Sequence, residues 1–342
     1  MTDRPGKAAI VEKPRTERVA EALEAEGVYD PSRRIEAYDA DRVALPVTRR
    51  PTEIDVEAVV ALELSVRERG LADVLRSRGV PEHVVEAAPS SWAVIGNVVL
   101  VDFGDVSVEG TLDRDARETV GEALLEVHGD ADTVLARGGI SGTRRDPAGE
   151  VVAGSGDTET VHTEHGIEYA LDLSETMFSP GNKAERARMG DVVSTGERVF
   201  DMFAGIGYFS LPMARAGASV TAAEIDPTSH RRLVENARRN GVTGNVHALL
   251  GDCRTVETTA DRVVMGYYEA HEYLGTALDA LVSGGIVHLH EATPDAMFPD
   301  RPLGRLRDAA AAAGRTVDVF DARRVKSHSA GVVHGVVDAH IE

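Results

Sequence analysis

The spacing of apolar positions changes character near residue 198 of the 342-residue chain. Beyond it, apolar runs at 198–202, 219–223, 246–250, 262–265 and 285–289 alternate with helical segments, and two late runs follow at 316–320 and 332–338. Strand alternating with helix predicts an α/β domain, a mostly parallel sheet with helices on both faces. No long helical segment separates the two late runs, so the last strand is expected to be antiparallel. Ala309 to Ala313 reads as a helix interior.

The first half is less regular. A short apolar start, Ala8 to Val11, precedes a predicted helix from about Thr16 to Glu26, and Pro46 and Pro51 punctuate the end of this small unit. Between 55 and 79, Val56, Val59, Val60, Leu62, Leu71, Val74 and Leu75 fall at helical spacing, broken by Gly70 and stopped near Gly79-Val80-Pro81. Trp92 to Phe103 is rich in β-branched residues and reads as a strand pair or one long strand. Asp113 is placed to cap a helix over Arg114 to His128, and the Gly-, Thr- and Asp-rich stretch 138–160 reads as a loop or hairpin.

Composition narrows the class. A hydrophobic fraction of 42% suits a globular chain with room for two or three domains. No apolar run approaches the ~20 residues of a membrane span, and Met1 to Pro14 has no signal-like stretch, so a soluble cytoplasmic protein is expected. The lone Cys253 excludes an internal disulfide and a multi-cysteine zinc site. Net charge is -20, and the basic residues are 33 arginines against four lysines, Lys7, Lys13, Lys183 and Lys326. An acidic, lysine-poor surface suits the molar salt of a halophile's cytoplasm, where screening weakens self-repulsion. Phosphate attraction is screened there too, so the charge neither supports nor excludes RNA.

Three strand ends carry the candidate chemistry. The first strand of the second half runs into Asp201-Met202-Phe203-Ala204-Gly205-Ile206-Gly207-Tyr208-Phe209, a strand, Gly-rich turn and helix that bring backbone N–H groups to a ligand. The next strand ends in Glu224, 17–19 residues past those glycines, where an acid grips a ribose diol. The third ends in Gly251-Asp252-Cys253, placing Asp252 to accept from an adenine amine beside a donating backbone N–H. Each acid alone also reads as a helix cap; together they indicate a ligand site. Ser210 stands where a dinucleotide fingerprint has its third glycine, which favours S-adenosylmethionine over NAD.

The chain from about Ser90 resembles the archaeal and eukaryotic tRNA position-37 enzymes with a class I S-adenosylmethionine-dependent methyltransferase (Rossmann-like) fold. The strings that carry the resemblance are Trp92-Ala93-Val94-Ile95-Gly96-Asn97, His162-Thr163-Glu164-His165-Gly166, Met177-Phe178-Ser179-Pro180-Gly181-Asn182 and the turn around Gly205 and Gly207. One branch methylates N1 of guanosine 37. The other transfers the 3-amino-3-carboxypropyl group of S-adenosylmethionine to 4-demethylwyosine. The methylating branch typically has Arg after Phe-Ser-Pro, where Gly181 stands here, and an Asn-Leu-Pro or Asn-Pro-Pro tetrad, where Met265-Gly266-Tyr267-Tyr268 stands. With Ile286-Val287-His288-Leu289-His290-Glu291, these segments are similar to the wybutosine-synthesis aminocarboxypropyltransferase family.

The resemblance implies three parts: a small N-terminal unit at 1–88, an α+β tRNA-positioning domain at 89–170 and the Rossmann-like catalytic domain at 171–342. It implies S-adenosylmethionine contacts at Ser179, Arg186, Glu224, Asp252, Cys253, Gly205 and Gly207, with Ser179 and Arg186 fixing the methionine arm. The implied partner is the anticodon loop of tRNA(Phe), with no membrane and a monomer favoured. Glu164, His162 and His271 are candidates for the base that removes the last proton. A guanine(37)-N1 methyltransferase and a non-catalytic binding module are the alternatives. No metal is expected from His162, His165, His271, His288 and His290, whose spacing matches no zinc helix and which read as strand or surface residues. Arg231-Arg232, Arg238-Arg239 and Arg323-Arg324 read equally as phosphate contacts or solvated faces.

Overall fold

The computed structural model describes residues 6–62, 64–65, 70–104, 112–141 and 146–342. The chain divides into two compact units, Met1–Val85 and Glu86–Glu342. No helix among the described residues is long and apolar enough to cross a membrane.

The first unit is built on β1 (Lys7–Glu12), α1 (Thr16–Ala25), β2 (Glu36–Ala37), β3 (Arg42–Val47) and β4 (Ala58–Ala61), with sheet order β2-β3-β1-β4. Successive side chains of a strand point to opposite faces. Ala9 and Val11 therefore pack with Val19 and Leu23 of α1, while Ala8 and Ile10 meet Ala44 and Leu64 on the other face. Helical spacing misleads over 55–62: Ala58–Ala61 is a strand antiparallel to β1, where the β-branched Val59 and Val60 gain a ladder partner. The helix α2 (Leu71–Ser77) begins only after Gly70. That glycine starts the helix rather than breaking it, its N–H donating to the Asp73 carboxylate at 3.1 Å. A further helix, α3 (Glu82–Ala87), follows.

In the second unit β5 (Trp92–Ile95) and β6 (Val98–Val101) form a hairpin that turns at Gly96, whose φ of +57° suits glycine. The helix α4 (Arg114–Val127) crosses to β7 (Thr133–Ser141), parallel to β6, and β8 (Asp146–Gly154) completes the sheet β5-β6-β7-β8. Asp113 caps α4, accepting the Ala116 N–H at 2.9 Å. The hairpin β9 (Glu159–Glu164) and β10 (Ile167–Asp172) leads to α5 (Lys183–Asp191).

The remaining elements are β11 (Arg198–Asp201), α6 (Ser210–Arg215), β12 (Ser219–Glu224), α7 (Pro227–Arg239), β13 (Val246–Leu250), β14 (Ala260–Met265), α8 (Leu274–Ala280), β15 (Leu281–Pro294), α9 (Asp300–Ala312), β16 (Val317–Ser329) and β17 (Val332–Ile341). They form one sheet, β13-β12-β11-β14-β15-β17-β16. The strands β11 to β15 run parallel, and β17 is antiparallel to both its neighbours, the arrangement expected of the class I fold. Val199 and Val220 face a core shared with Leu211, Leu233, Tyr169 and Met189. Phe200, Val263 and Val287 face the other, with Leu278, Leu306 and Val337. Each such large apolar side chain contributes about 1.5–3 kcal/mol of burial. Strand order reverses between β11 and β14, so their carboxyl ends splay and leave a crevice.

Candidate functional site

A cavity of about 290 Å3 opens at that crevice, walled by Met202, Phe203, Gly205, Glu224, Asp252 and Cys253 among others. Gly205 and Gly207 turn the chain at φ of +57° and +103°, and a Cβ on Gly207 would lie 2.7 Å from Leu211 Cγ. The turn is held from behind by the buried Asn236 of α7, which donates to the carbonyls of Ile206 and Ala170 at 3.1 and 3.2 Å.

Glu224 sits at the centre. Its Oε2 accepts the Gly205 N–H at 2.7 Å and its Oε1 accepts the Asp226 N–H at 2.8 Å. Burial raises its pKa, opposed by those N–H groups. Each carboxylate oxygen retains a lone pair for a ribose hydroxyl. Asp252 is clasped by Arg254, whose Nε donates to Oδ1 at 3.0 Å, and this hydrogen bonding holds its carboxyl below the usual range. Burial and then the Asp252 charge push the Cys253 thiol up to about 12, which removes it as a nucleophile. Phe203 packs against Tyr267 and Tyr273 at ring separations of 5.2 and 5.0 Å, supplying apolar walls for a purine. The donor set therefore fits an adenosine nucleoside, ribose at Glu224 and base at Asp252-Cys253.

A second cavity, of about 960 Å3, lies beside the first. Met177 and Tyr267 line both. Its wall brings together the Trp92 hairpin, Ser179 to Gly181, the Tyr267–His271 loop, Arg301 and Arg305 of α9, and Lys326 of β16.

The expected site residues divide between these places. Gly205, Glu224, Asp252 and Cys253 line the smaller cavity, and Gly207 shapes its turn. Ser179 and His271 line the larger one, and His271 Nδ1 has no hydrogen-bond partner among the described residues. Arg186, expected on the methionine arm, is buried behind the wall: Nε and Nη2 donate to Glu164 at 2.6 and 2.8 Å, and Nη1 donates to the Ser179 carbonyl at 3.0 Å. Its charge is spent on positioning that segment. Glu164, considered as a base, lines neither cavity; burial would raise its carboxyl, but hydrogen bonds from His162 and Arg186 and the guanidinium charge hold it at about 2. His162 contacts Glu164 at 3.3 Å, accepts the Gly96 N–H and packs edge-on against Phe178. Neither Glu164 nor His162 lines either cavity.

Several features were not legible from sequence. Glu291 is fully buried, and one of its oxygens accepts from Arg301 at 2.9 Å and Arg305 at 2.8 Å, aligning two guanidiniums along the larger cavity. His288 and His290 are interior rather than surface residues. His288 Nδ1 pairs with Asp338 at 2.6 Å, and Asp338 also accepts from Arg188 and Arg323, each at 2.6 Å. His290 faces His334 at 3.0 Å, and burial pushes them down to about 3 and about 2, so both are neutral. Arg323 is thus an internal tie to Asp338 and Glu185, and Arg232 is buried against Glu159 and Glu235. Neither is a free phosphate contact. The partner each side chain meets in the fold, not residue type, decides such roles.

Comparison with known proteins adds to the geometry. The family model of the TRM5/TYW2 methyltransferase domain matches residues 160–320, and that of the TYW2 N-terminal domain matches 71–158. A Pyrococcus horikoshii protein named tRNA(Phe) (4-demethylwyosine(37)-C(7)) aminocarboxypropyltransferase is 37% identical over 283 residues, 81% of this chain and 99% of its own length. The chain belongs to the TRM5/TYW2 family. Two solved structures of that family show its two branches. P. horikoshii TYW2 in complex with MeSAdo has a TM-score of 0.68 at 35% identity, covering 79% of this chain and 97% of that one. Trm5b from Pyrococcus abyssi has a TM-score of 0.73 at 30% identity, covering 98% and 99%. Both branches share the catalytic frame, so the backbone alone does not choose between them. The match of 71–158 to the TYW2 N-terminal domain does favour one.

Proposed function

We propose that this protein transfers the 3-amino-3-carboxypropyl group of S-adenosylmethionine to C7 of 4-demethylwyosine at position 37 of tRNA(Phe). The observation that carries the reading is the pair of adjoining cavities: one fits the adenosine, the other is large enough for a tricyclic base, and Met177 and Tyr267 stand between them. When bound, S-adenosylmethionine supplies a sulfonium whose γ-carbon takes the C7 electron pair as the carbon–sulfur bond breaks, leaving 5′-methylthioadenosine. The C7 proton is lost afterwards.

The protein's part is positioning and exclusion of water. Glu224 and Asp252 hold the nucleoside, the Phe203, Tyr267 and Tyr273 rings enclose it, and Ser179 meets the arm on the wall of the larger cavity. Of the groups considered for the proton, His271 is the one that lines the base cavity, and we assign the step to it. The same reading carries an anticodon-loop target, a monomeric enzyme and a cytoplasmic location. The charge of -20 with four lysines supports a halophilic source.

The Trm5b likeness favours a second reading, guanosine-37 N1 methylation. The by-product separates the two. Chromatography after a turnover with modified tRNA should show 5′-methylthioadenosine; S-adenosylhomocysteine in its place would establish the methyltransferase.

A further inference from the structure

We propose that Arg301 and Arg305, held side by side by the buried Glu291, grip a backbone phosphate of the tRNA next to the nucleotide whose base enters the larger cavity. This rests on the reading above that a tRNA base occupies that cavity.

Residues 301 and 305 lie one turn apart on α9, so their side chains leave the same face of the helix. Both reach the same atom. Arg301 donates from Nε and Arg305 from Nη1 to Oε1 of Glu291, at 2.9 and 2.8 Å. Arg301 Nη2 is further fixed on the Ala292 carbonyl at 2.9 Å. Glu291 is fully buried, whereas the arginine side chains stay 27% and 34% exposed and line the larger cavity. An ion pair that only tied α9 to β15 would need a single guanidinium spread over both carboxylate oxygens. Here two guanidiniums converge on one oxygen, and Oε2 has no partner among the described residues. Two cations against one carboxylate leave an excess of positive charge at the cavity wall. The described hydrogen bonds leave Nη1 of Arg301, and Nε and Nη2 of Arg305, to donate to a ligand.

The surroundings point to the same ligand. The whole chain has 57 acidic residues to 37 basic, yet the described lining of this cavity carries Arg137, Arg301, Arg305 and Lys326 against Asp102 and Glu269. A base drawn out of its stack stays joined to the backbone on both sides, so a phosphate accompanies it to the rim. In the molar salt that this composition suits, diffuse attraction to phosphate is screened. Short hydrogen bonds from guanidiniums already fixed in place persist there, and the planar fork of arginine matches a phosphate. The adjacent pairs at 231–232 and 323–324 lack this geometry, because Arg232 and Arg323 turn to acids inside the fold.

The test is a coupling cycle at one fixed high KCl concentration, with the full chain and tRNA(Phe) carrying 4-demethylwyosine. A neutral methylphosphonate replaces the phosphate on the 5′ or the 3′ side of nucleotide 37, the reference RNA having the same 2′-deoxyribose at that linkage. In the native protein, one of the two neutral linkages should weaken binding roughly ten-fold, the effect of losing a hydrogen bond between charged groups. Arg305→Gln should weaken the unaltered RNA by a similar factor, and the two losses should not add. Arg305→Lys, which keeps a cation beside Glu291, should recover part of the loss. Calorimetric affinities for S-adenosylmethionine and 5′-methylthioadenosine should stay within about two-fold in both variants. Additive losses, or neutral linkages without effect on the native protein, overturn the proposal. So does a selective loss of S-adenosylmethionine, which would put the cofactor carboxylate on the pair instead. The neutral linkages need no substitution, so they decide the matter even where a variant fails to fold. Transfer of label from S-adenosylmethionine to tRNA by the native protein tests the base-cavity reading separately. Label transferred without coupling removes the phosphate site alone; no label removes the reading beneath it as well.

Discussion

Arg186 and Glu164 form a buried two-pronged ion pair, 2.6 and 2.8 Å long, whose remaining guanidinium nitrogen holds the Ser179 carbonyl. The pair ties β9 to the loop entering α5, and so fixes the hydroxyl that faces the base cavity. Breaking one side of such a pair leaves an uncompensated buried charge, at a cost on the order of 3–5 kcal/mol. Glu164→Gln should therefore lower the thermal midpoint clearly. The pH dependence has a defined sign. The Glu164 carboxyl is depressed from 4.5 to about 2, so its contribution is fully present above pH 4.5 and is lost as pH falls towards 2. Acid denaturation should thus be steeper across that window in the native chain than in Glu164→Gln.

Glu224 is expected to govern cofactor affinity. Glu224→Ala removes the acceptor for the ribose and the partner of the Gly205 and Asp226 N–H groups. Affinity for S-adenosylmethionine and for 5′-methylthioadenosine should fall together, roughly ten- to hundred-fold, in a calorimetric titration. A selective loss of one ligand would place the ribose elsewhere.

His271 lines the base cavity and is not among the residues that line the adenosine cavity. His271→Ala should slow transfer to modified tRNA by roughly 10²–10⁴-fold, the range of general acid–base effects, and leave cofactor binding unchanged. A rate within a few-fold of the native enzyme, measured under single turnover, would remove it from the reaction.

Cys253 should be inert. With its thiol pushed up to about 12 by burial and the Asp252 charge, little thiolate exists near neutrality. Alkylation at pH 8 should be far slower in the folded protein than after denaturation, as followed by mass spectrometry. Rapid labelling of the native chain would contradict the burial of Cys253 beside Asp252.

The parallel sheet was legible because runs such as 219–223 and 262–265 are short, apolar and separated by helical spacing, and the cofactor acids fall at strand ends that the pattern itself defines. The stretch 55–62 misled because four residues of Ala and Val fit a helix face as well as a strand, and only pairing with β1 decides. Arg186 shows a different limit. A basic residue seven positions after Ser179 suggests an anion partner, but its carboxylate is Glu164, on another hairpin, which spacing does not reveal. For the same reason Glu291 with Arg301 and Arg305, and Lys326 with Ser179, emerge only once distant strands and helices are brought together.

The most direct test uses tRNA(Phe) carrying 4-demethylwyosine, at high KCl, with S-adenosylmethionine labelled in either its carboxyl or its methyl carbon. Carboxyl label in the tRNA, with no methyl label, is the predicted result. Methyl label retained in the tRNA would contradict aminocarboxypropyl transfer and establish methylation.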